Sequence, residues 1–372
     1  MGISVEAVDS RKSLREYMEL PYRLYRNHPV WVPPLRMEER RKYEARTNPM
    51  LLHCTVRHFL AHRDGEPVGR VSAFVDRMAV EHWKENVGLF GSYECVDDPL
   101  PAESLLRAAE SWLREQGMTR MRGPWSFASQ EWGLVVKGFD TPPMIMAPYN
   151  FPHAVVHLEN NGYSKAKDLL VYELEGSDHY ILPERFLRVT DRIARENGVV
   201  IRPLDMKRLE ADVKTIVDIA NVSTRENWGY VPVTDEEAHD MARSLKSIVD
   251  PDLVMIGEAG GRPIGYLIAL PDINVLIRSF QGRLFPFHIF QMLAGLKKIR
   301  SYRVWALGVI PEYRRKAIDT LFYRKLYEVL GPRKPLRVEA NYVLEDNMAM
   351  NNPILKMGFR HVKTYRVYEK KL

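Results

Sequence analysis

The stretch that decides the fold covers residues 305–330 and reads WALGVIPEYRRKAIDTLFYRKLYEVL. Its first part is an apolar run typical of a strand, and from Ile318 onward apolar residues recur at helical spacing. Between these parts, after Pro311, lies a basic turn at residues 314–316. A basic turn followed by a helix N-terminus offers N–H groups and positive charge to an anion. The stretch therefore predicts a strand, a phosphate-binding turn and a helix.

The composition is that of a globular chain with room for two domains. It has 372 residues, 45% of them hydrophobic and 27% charged, and a net charge of +6. This charge suits phosphate-bearing ligands or an anionic membrane surface but is too small to indicate nucleic acid. Cys54 and Cys95 are the only cysteines, which fits a reducing compartment. With no signal peptide and no long apolar run, we expect a cytoplasmic protein that can touch the inner face of the membrane.

Part of the sequence occurs twice, 196 residues apart. The hairpin pattern of residues 59–76 recurs at residues 254–272, and matching glycine–aromatic and tyrosine positions follow in both copies. The matched pairs are Gly65 and Gly261, Pro67 and Pro263, Gly69 and Gly265, Asp76 and Asp272, Gly162 and Gly358, and Tyr172 and Tyr368. We therefore expect an α/β (α+β) fold with two duplicated domains, residues 1–178 and 179–372.

The two copies differ at the turn that matters for phosphate. In the first copy, residues 96–103 occupy the position of the basic turn, and they are acidic and proline-rich. An acidic turn repels a pyrophosphate. The first domain is therefore predicted to shape the substrate and the second to bind the cofactor. A helix is expected to begin at Glu103.

A known motif appears in the second copy. Residues 309–318, with Arg314, Arg315, Lys316, Ala317 and Ile318, resemble the acyl-CoA-binding motif of the GNAT superfamily of N-acyltransferases. The resemblance implies mixed, mostly antiparallel sheets flanked by helices and acyl-CoA as co-substrate. It also implies that the backbone at Leu307, Gly308 and Val309 polarises the thioester.

The chain departs from that motif at three positions. Ala317 and Asp319 stand where the family has glycines, and a carboxylate at residue 319 would repel a pyrophosphate. The second family motif is matched by Asn347 and by Gly358 with its following aromatic residue. The family's tyrosine, a proton donor to the thiolate, is replaced by Ile354.

A more specific resemblance covers nearly the whole chain. The segments that carry it are residues 123–127, 133–143, 147–152, 227–232, 282–286 and 311–314. They are similar to a tandem-domain bacterial branch of the superfamily that includes the bacterial ceramide synthases. The resemblance implies an amine acceptor, with a sphingoid base or another lipid amine favoured.

Three carboxylates are candidates for the general base that removes the amine proton. Glu339, on the strand expected beside residues 307–309, is favoured. Glu131 is second, and the terminal carboxylate of Leu372 is third because some lipid-transferring relatives of this fold use theirs. His153 and His157 are expected to be structural, and no metal is predicted because metal-ligand spacing is lacking.

Residues 273–300 contain no acidic side chain and are rich in aromatic and basic residues. Pro286 is expected in the first turn of a helix there. The segment suits a membrane interface or a long apolar acceptor, and a helix packed between the domains is the alternative. Besides a lipid N-acyltransferase, two functions remain open, an acetyltransferase for a small soluble amine and a non-enzymatic acyl-CoA-binding or membrane-adaptor protein.

Overall fold

A computed structural model describes residues 2–126, 131–177 and 181–372, and the side chain of Leu245 is not described. Residues 127–130, which include part of the segment before Glu131, lie outside the described residues. The predicted domain boundary at residues 178 and 179 also lies outside them.

The first half of the chain contains seven strands and five helices among its described residues. In chain order these are β1 Ile3–Ala7, α1 Arg11–Leu24, α2 Arg36–Lys42, β2 Cys54–Arg63, β3 Glu66–Asp76, α3 Arg77–Trp83, β4 Val87–Cys95, α4 Pro99–Glu115, β5 Arg120–Gly123, β6 Leu134–Lys137, α5 His153–Asn160 and β7 Ser164–Gly176.

The second half has a similar alternation. Its elements are α6 Glu184–Asn197, β8 Val199–Pro203, α7 Leu209–Ser223, α8 Asp235–Leu245, β9 Val254–Ala259, β10 Arg262–Pro271, α9 Asn274–Ile277, α10 His288–Leu296, β11 Ser301–Val309, α11 Asp319–Leu330, β12 Leu336–Leu344, α12 Met348–Lys356 and β13 Arg360–Lys371.

The repeated hairpin forms in both halves, as β2–β3 and β9–β10. Gly65 and Gly261 lie in the two turns with φ of +84° and +79°, a conformation that favours glycine. The aspartates at the ends of the second strands also have equivalent roles. Asp76 accepts hydrogen bonds from two N–H groups of α3, and Asp272 accepts one from the N–H of Asn274.

Two helix starts differ from the prediction. α4 begins at Pro99 rather than Glu103, because the Asp98 side chain caps the N–H of Leu100 at 2.8 Å and proline suits the first turn. Pro286 does not lie in a helix, since α10 begins only at His288. In the sequence, Thr234 followed three residues later by Glu237 predicts a capping box at a helix start, and this box forms at α8.

All the strands join one sheet, ordered β1-β2-β3-β4-β5-β13-β7-β12-β11-β10-β9-β8, with β6 pairing β13. The halves exchange their last strands. β7, from the first half, pairs with β12, and β13, from the second half, pairs with β5. Most pairs are antiparallel, and β4–β5 and β11–β12 are parallel. The sheet class expected from the sequence is confirmed.

Two large apolar cores lie on the sheet, one in each half. In the second half, Ile318, Leu321, Phe322 and Leu326 of the opening stretch are buried against β9 and β10 residues. In the first half, α4 packs its apolar face on β2 and β3. Among the described residues, no helix combines the length and apolarity needed to cross a membrane.

Candidate active site

The two parallel strands of the second half separate at the candidate site. The β11–β12 pairing runs from Ser301 and Arg337 to Val304 and Ala340 and stops there, although both strands continue. A bulge in β11 at the same level shifts its register against β10. Beyond this level β11 and β12 leave an opening, called here the second-half gap.

Backbone N–H groups of β11 face this gap. The N–H of Ile310 donates to the carbonyl of Ile264 in the other direction, toward β10, at 2.9 Å. Because amide directions alternate along a strand, the N–H groups of Leu307 and Val309 point away from β10. They can donate to an oxygen that develops negative charge in the gap.

The basic turn that follows β11 has an unusual backbone. Arg315 and Ala317 both have positive φ, 61° and 54°, without being glycine. Arg314 Nη2 donates to the carbonyl of Ser223 at 2.6 Å, and Lys316 Nζ lies 4.5 Å from the centre of the Tyr313 ring. The side chain of Arg315 makes no hydrogen bond or ion pair with the residues that the structure describes, so it is available to an anion.

Asp319, which the sequence left unexplained, is the first residue of α11. Burial raises the pKa of its carboxyl group, and the nearby N–H groups of Asp319 and Thr320 oppose that rise. The N–H of Thr320 itself donates to the carbonyl of Ala317 at 3.1 Å, so it is not left free at the helix start. The carboxylate therefore lies at the start of α11, beside the turn that an incoming phosphate would meet.

An apolar cavity of about 110 Å³, called here the cofactor slot, lies between α11 and α12 on one face of the gap. Val304 and Leu307 of β11 and Ala340 of β12 reach it. Ile354 lines it too, as does Tyr323, whose hydroxyl lies 3.7 Å from Met350 Sδ. Sequence reasoning missed Tyr323, the first tyrosine of the opening helix.

Asn347 is placed at the start of α12, where its side-chain oxygen accepts from the N–H of Met350 at 3.3 Å. It therefore caps the helix that borders the cofactor slot. Asn347 is not among the residues that line the slot. Its contact with the cofactor stays a prediction.

Glu339 lies one residue before the strands separate, opposite Arg303 of β11. It is 3% exposed, and Asn341 Nδ2 donates to its Oε1. Burial raises the pKa of Glu339 to about 7, even though Lys363, Arg303 and Arg337 favour its charged form. A carboxyl group with a pKa near neutrality can both take and release a proton under physiological conditions.

The two favoured carboxylates flank the same pair of tyrosines. Tyr342 and Tyr365 pack edge to face at 5.1 Å, and the charges of Glu339 and Glu131 both raise the pKa values of these tyrosines, which burial raises most. Glu131 also lies 3.5 Å from Lys42 Nζ. The structure therefore brings Glu339 and Glu131 to one region.

The third candidate, the terminal carboxylate, is not in that region. Across the sheet, Glu339 pairs with Glu173 of β7, which in turn pairs with Arg360 of β13. Leu372 is twelve residues farther along β13, roughly 35–40 Å away at the rise of a strand. It lies instead beside Thr119, whose carbonyl accepts its N–H at 2.9 Å.

The two histidines expected to be structural make hydrogen bonds inside the first half. His153 Nε2 lies 2.9 Å from the carbonyl of Cys95, and His157 Nδ1 lies 3.1 Å from the hydroxyl of Tyr93. Burial lowers the pKa of His157.

A second cavity, of about 290 Å³, lies between the halves and is called here the interface cavity. Trp305 and Ala306 of β11 and Tyr342 of β12 line it, so it reaches the two strands that border the gap. Its other aromatic walls among the described residues are Trp125, Trp132, Trp228, Tyr230 and Tyr266. In the sequence, Trp228 and Tyr230 belong to segment 227–232, which carries the family resemblance without a role for either ring.

Sequence reasoning also missed a charged cluster in this cavity. His53 Nδ1 lies 2.9 Å from Asp76 Oδ1, and His53 Nε2 lies 3.4 Å from Glu237 Oε1. Potential ligand atoms of His53, Cys54 and Asp76 lie within 4.8 Å of one another, a grouping that the sequence spacing did not indicate. The sequence signal that could have pointed to this cluster is the repeat, because its first hairpin ends at Asp76.

The equivalent gap in the first half is filled by the chain itself. The β4–β5 pairing ends at Leu89 and Arg122, and the N–H of Trp125 then donates to the carbonyl of Phe90 at 2.7 Å. Trp125 forms a bridge and a ring stack, at 4.4 Å, with Trp132. A side chain at Gly91 would lie 2.0 Å from the Trp125 carbonyl, so the fit is tight.

Comparisons with known proteins agree with this geometry. The chain is 36% identical over its whole length to the bacterial ceramide synthase of Caulobacter vibrioides, of which it covers 98%. It is 34% identical to protein YghO of Escherichia coli, over 98% of this chain and 94% of that protein. No family model matches.

Among solved structures, a tandem GNAT protein from the clavulanic acid biosynthesis pathway superposes with a TM-score of 0.57. That likeness covers 100% of this chain and 98% of the other at 11% sequence identity, so it concerns the fold.

Proposed function

Because the chain belongs to the tandem-domain GNAT family that includes the bacterial ceramide synthases, and is thus an acyl-CoA N-acyltransferase, we propose that it acylates a sphingoid base or another lipid amine. The observation that carries the proposal is the full-length likeness to the Caulobacter ceramide synthase. The aromatic interface cavity beside the gap supports it, because an acceptor with a long apolar chain needs apolar walls.

In this proposal the second half holds acyl-CoA. The side chains of Arg314, Arg315 and Lys316 and the backbone at Ala317 and Ile318 receive the pyrophosphate, since this turn concentrates positive charge and free N–H groups before a helix. The apolar cofactor slot takes the pantetheine and leads the thioester to the gap. Asn347 contributes by fixing the start of α12 at the edge of this slot.

The reaction follows from the groups around the gap. The amine nitrogen attacks the thioester carbonyl, the carbonyl oxygen takes negative charge, and the carbon–sulfur bond then breaks to release CoA thiolate. The N–H groups of Leu307 and Val309 stabilise the oxyanion, and Gly308 lets α7 approach the strand, because a side chain there would lie 2.4 Å from Ser223 Oγ.

The amine must lose a proton during this step, and we assign Glu339 as the base. Its buried position and its pKa of about 7 suit proton transfer near neutral pH. Tyr342 lines the interface cavity, and the charge of Glu339 acts on its hydroxyl, so the acceptor cavity and the proposed base belong to one region. Glu131, whose charge also acts on Tyr342, is the alternative base.

The first half, residues 1–178, shapes the acceptor site in this proposal and does not bind CoA. Its gap is filled by Trp125 and Trp132, and both side chains also line the interface cavity. The second half, residues 179–372, supplies the catalytic gap.

A lipid acceptor would reach the enzyme from a membrane, and one surface suits such contact. Around α10, Phe285, Phe287, Phe290 and Leu293 are between 55% and 74% exposed. The segment of residues 273–300 contains basic but no acidic side chains. Exposed aromatic residues with a basic surround favour an anionic bilayer surface over burial between domains.

A thiol-release assay tests the function. Purified protein is given acetyl-, octanoyl- or palmitoyl-CoA with a sphingoid base, with a small polyamine or without an amine. We expect CoA release that requires a long-chain acyl-CoA and the sphingoid base together. Release with acetyl-CoA and the polyamine alone would refute the lipid acceptor and indicate a small-amine acetyltransferase.

A further inference from the structure

The interface cavity holds three ionisable side chains that the acyl transfer described above does not use. These are His53 and Asp76 from the first half and Glu237 from the second. His53 has a carboxylate oxygen near each ring nitrogen, Asp76 at 2.9 Å and Glu237 at 3.4 Å. Both nitrogens can donate only when the imidazole is protonated.

The cluster then carries one negative charge. Hydrogen bonds to Asp76 and then to Cys54 and Glu237 raise the pKa of His53 to about 12, so one cation is balanced against two carboxylates. No lysine or arginine is present among the described lining residues. A single negative charge among aromatic walls attracts a cation, and rings such as Trp305 add their own attraction. The Trp228 ring already has Arg122 and Lys167 at 5.5 and 5.7 Å from its centre, so it contributes less.

Both carboxylates are fixed in place by helix caps. Asp76 accepts from the N–H groups of Met78 and Ala79 at the start of α3. Glu237 uses Oε2 to accept the N–H of Thr234 at 2.8 Å, which leaves Oε1 for His53. Rigid groups bind a ligand with little loss of conformational entropy.

The cluster is better suited to an organic cation than to a metal ion. Asp76 Oδ1 already accepts from three partners, His53 and two helix N–H groups. Cys54 Sγ lies 3.7 Å from His53 Nδ1, the nitrogen that also contacts Asp76. Because Nδ1 already faces Cys54 and Asp76, it cannot also face a metal ion. Glu237 Oε1 has only the longer contact to His53, and the Glu237 side chain is 14% exposed against 3% for Asp76, so Glu237 is the carboxylate more open to a further donor.

We propose that Glu237, held by His53 and Asp76, binds the ammonium group of the acceptor in the interface cavity. The inference rests on the proposed function and adds an acceptor-specificity site that both halves build. The ligand class is a primary alkylammonium ion whose chain lies along the aromatic walls. The same cavity reaches Trp305 and Tyr342, so it connects this site with the strands that border the gap.

Binding without catalysis tests this site. Tryptophan fluorescence is measured during titration with dodecylamine and, separately, with dodecanol, in the absence of acyl-CoA. Glu237→Gln is the main variant, because glutamine at the third helical position still completes the capping box. Asp76→Asn is a second variant that keeps its cap. Glu236→Gln, an exposed neighbour on α8, is the matched control.

We expect the wild-type protein and Glu236→Gln to bind the amine about tenfold more tightly than the alcohol. Each of the other two variants should lose this preference while alcohol binding stays unchanged. In turnover, the KM for the amine should rise about tenfold with the KM for acyl-CoA unchanged.

Equal loss of amine and alcohol binding, or an unchanged preference in Glu237→Gln, would overturn the assignment. So would micromolar Zn²⁺ binding that Cys54→Ser abolishes, because it would assign the cluster to a metal. Failure of the proposed function gives a different result, since a wild-type protein that acylates no lipid amine would still give a clear answer in the fluorescence titration.

Discussion

Replacing Glu339 with glutamine tests the assignment of the general base most directly. Glutamine keeps the size of the side chain and an oxygen that can accept from Asn341, but it cannot take a proton from the amine. Loss of a positioned base reduces turnover by about 10²- to 10⁴-fold. We therefore expect Glu339→Gln to lower kcat by at least two orders of magnitude, while the KM for acyl-CoA changes little.

The pH dependence of kcat/KM gives a second and more specific quantitative prediction. With a pKa of about 7, Glu339 is mostly protonated at pH 6 and mostly ionised at pH 8. The wild-type kcat/KM should therefore rise about tenfold across this interval, because only the ionised form acts as a base. The variant should lose this rise.

The raised pKa of Glu339 also predicts how the stability of the folded protein changes with pH. Burial raises the pKa of Glu339 from 4.5 to about 7, so the folded protein binds the proton more tightly than the unfolded chain. The resulting stabilisation is fully present below pH 4.5 and is lost as the pH rises through 7, with a limit of about 3 kcal/mol. Glu339→Gln should therefore melt no lower than the wild type at pH 8.

The assay is thiol release at varied concentrations of palmitoyl-CoA and sphingoid base between pH 5.5 and 9, which gives kcat and KM separately, together with thermal melts at each pH. Glu173→Gln, which replaces the cross-strand neighbour of Glu339, controls for general electrostatic effects on the sheet. Glu131→Gln tests the alternative base. A Glu339→Gln enzyme with wild-type activity and the wild-type pH profile would refute the assignment, and a selective loss in Glu131→Gln would transfer the role.

Three further predictions concern the cofactor turn and the exchanged strands. Ala317→Gly should raise the free energy of unfolding by roughly 0.5–1 kcal/mol in denaturant titrations, because alanine at φ 54° is strained and glycine is not; a lower stability would contradict this reasoning. Asp319→Asn removes a negative charge beside the proposed phosphate site and keeps the size of the side chain, so the Kd for acyl-CoA in calorimetry should fall about fivefold at low salt. An unchanged Kd would place the phosphate elsewhere. A chain of residues 1–177 lacks β13, which pairs with β5, β6 and β7. It should therefore give no cooperative melt alone and should recover one when residues 178–372 are coexpressed. A stable isolated half would contradict the importance of the exchange.

Local sequence signals predicted the parts of the fold that depend on neighbouring residues. The two hairpins follow from glycines that adopt positive φ in tight turns, and the capping box of Thr234 and Glu237 involves residues three positions apart. The start of α4 at Pro99 was also available from local chemistry, since an aspartate directly before a proline is a common helix start.

Long-range arrangements could not be predicted in this way. The contact between His53 and Glu237 joins residues 184 positions apart, and nothing local marks either of them as a partner. The exchange of β7 and β13 has the same difficulty, because a duplicated sequence fits either copy of the partner strand. Alternation shows which face of a strand is buried but does not identify its neighbour.

The closed gap of the first half bears directly on how the enzyme obtains its acceptor site. In the second half, pairing stops after Val304 and Ala340 and the opening is free for a cofactor; in the first half, Trp125 enters the equivalent opening. The other side of that tryptophan reaches the second half, where a side chain at Gly229 would lie only 2.6 Å from its ring. The segment that fills the first gap is thus also a wall of the interface cavity. We infer that the same packing of Trp125 closes the cofactor site of the first copy and supplies an acceptor wall for the second. Enlarging the first gap by Trp125→Ala should therefore weaken acceptor binding rather than create a second acyl-CoA site.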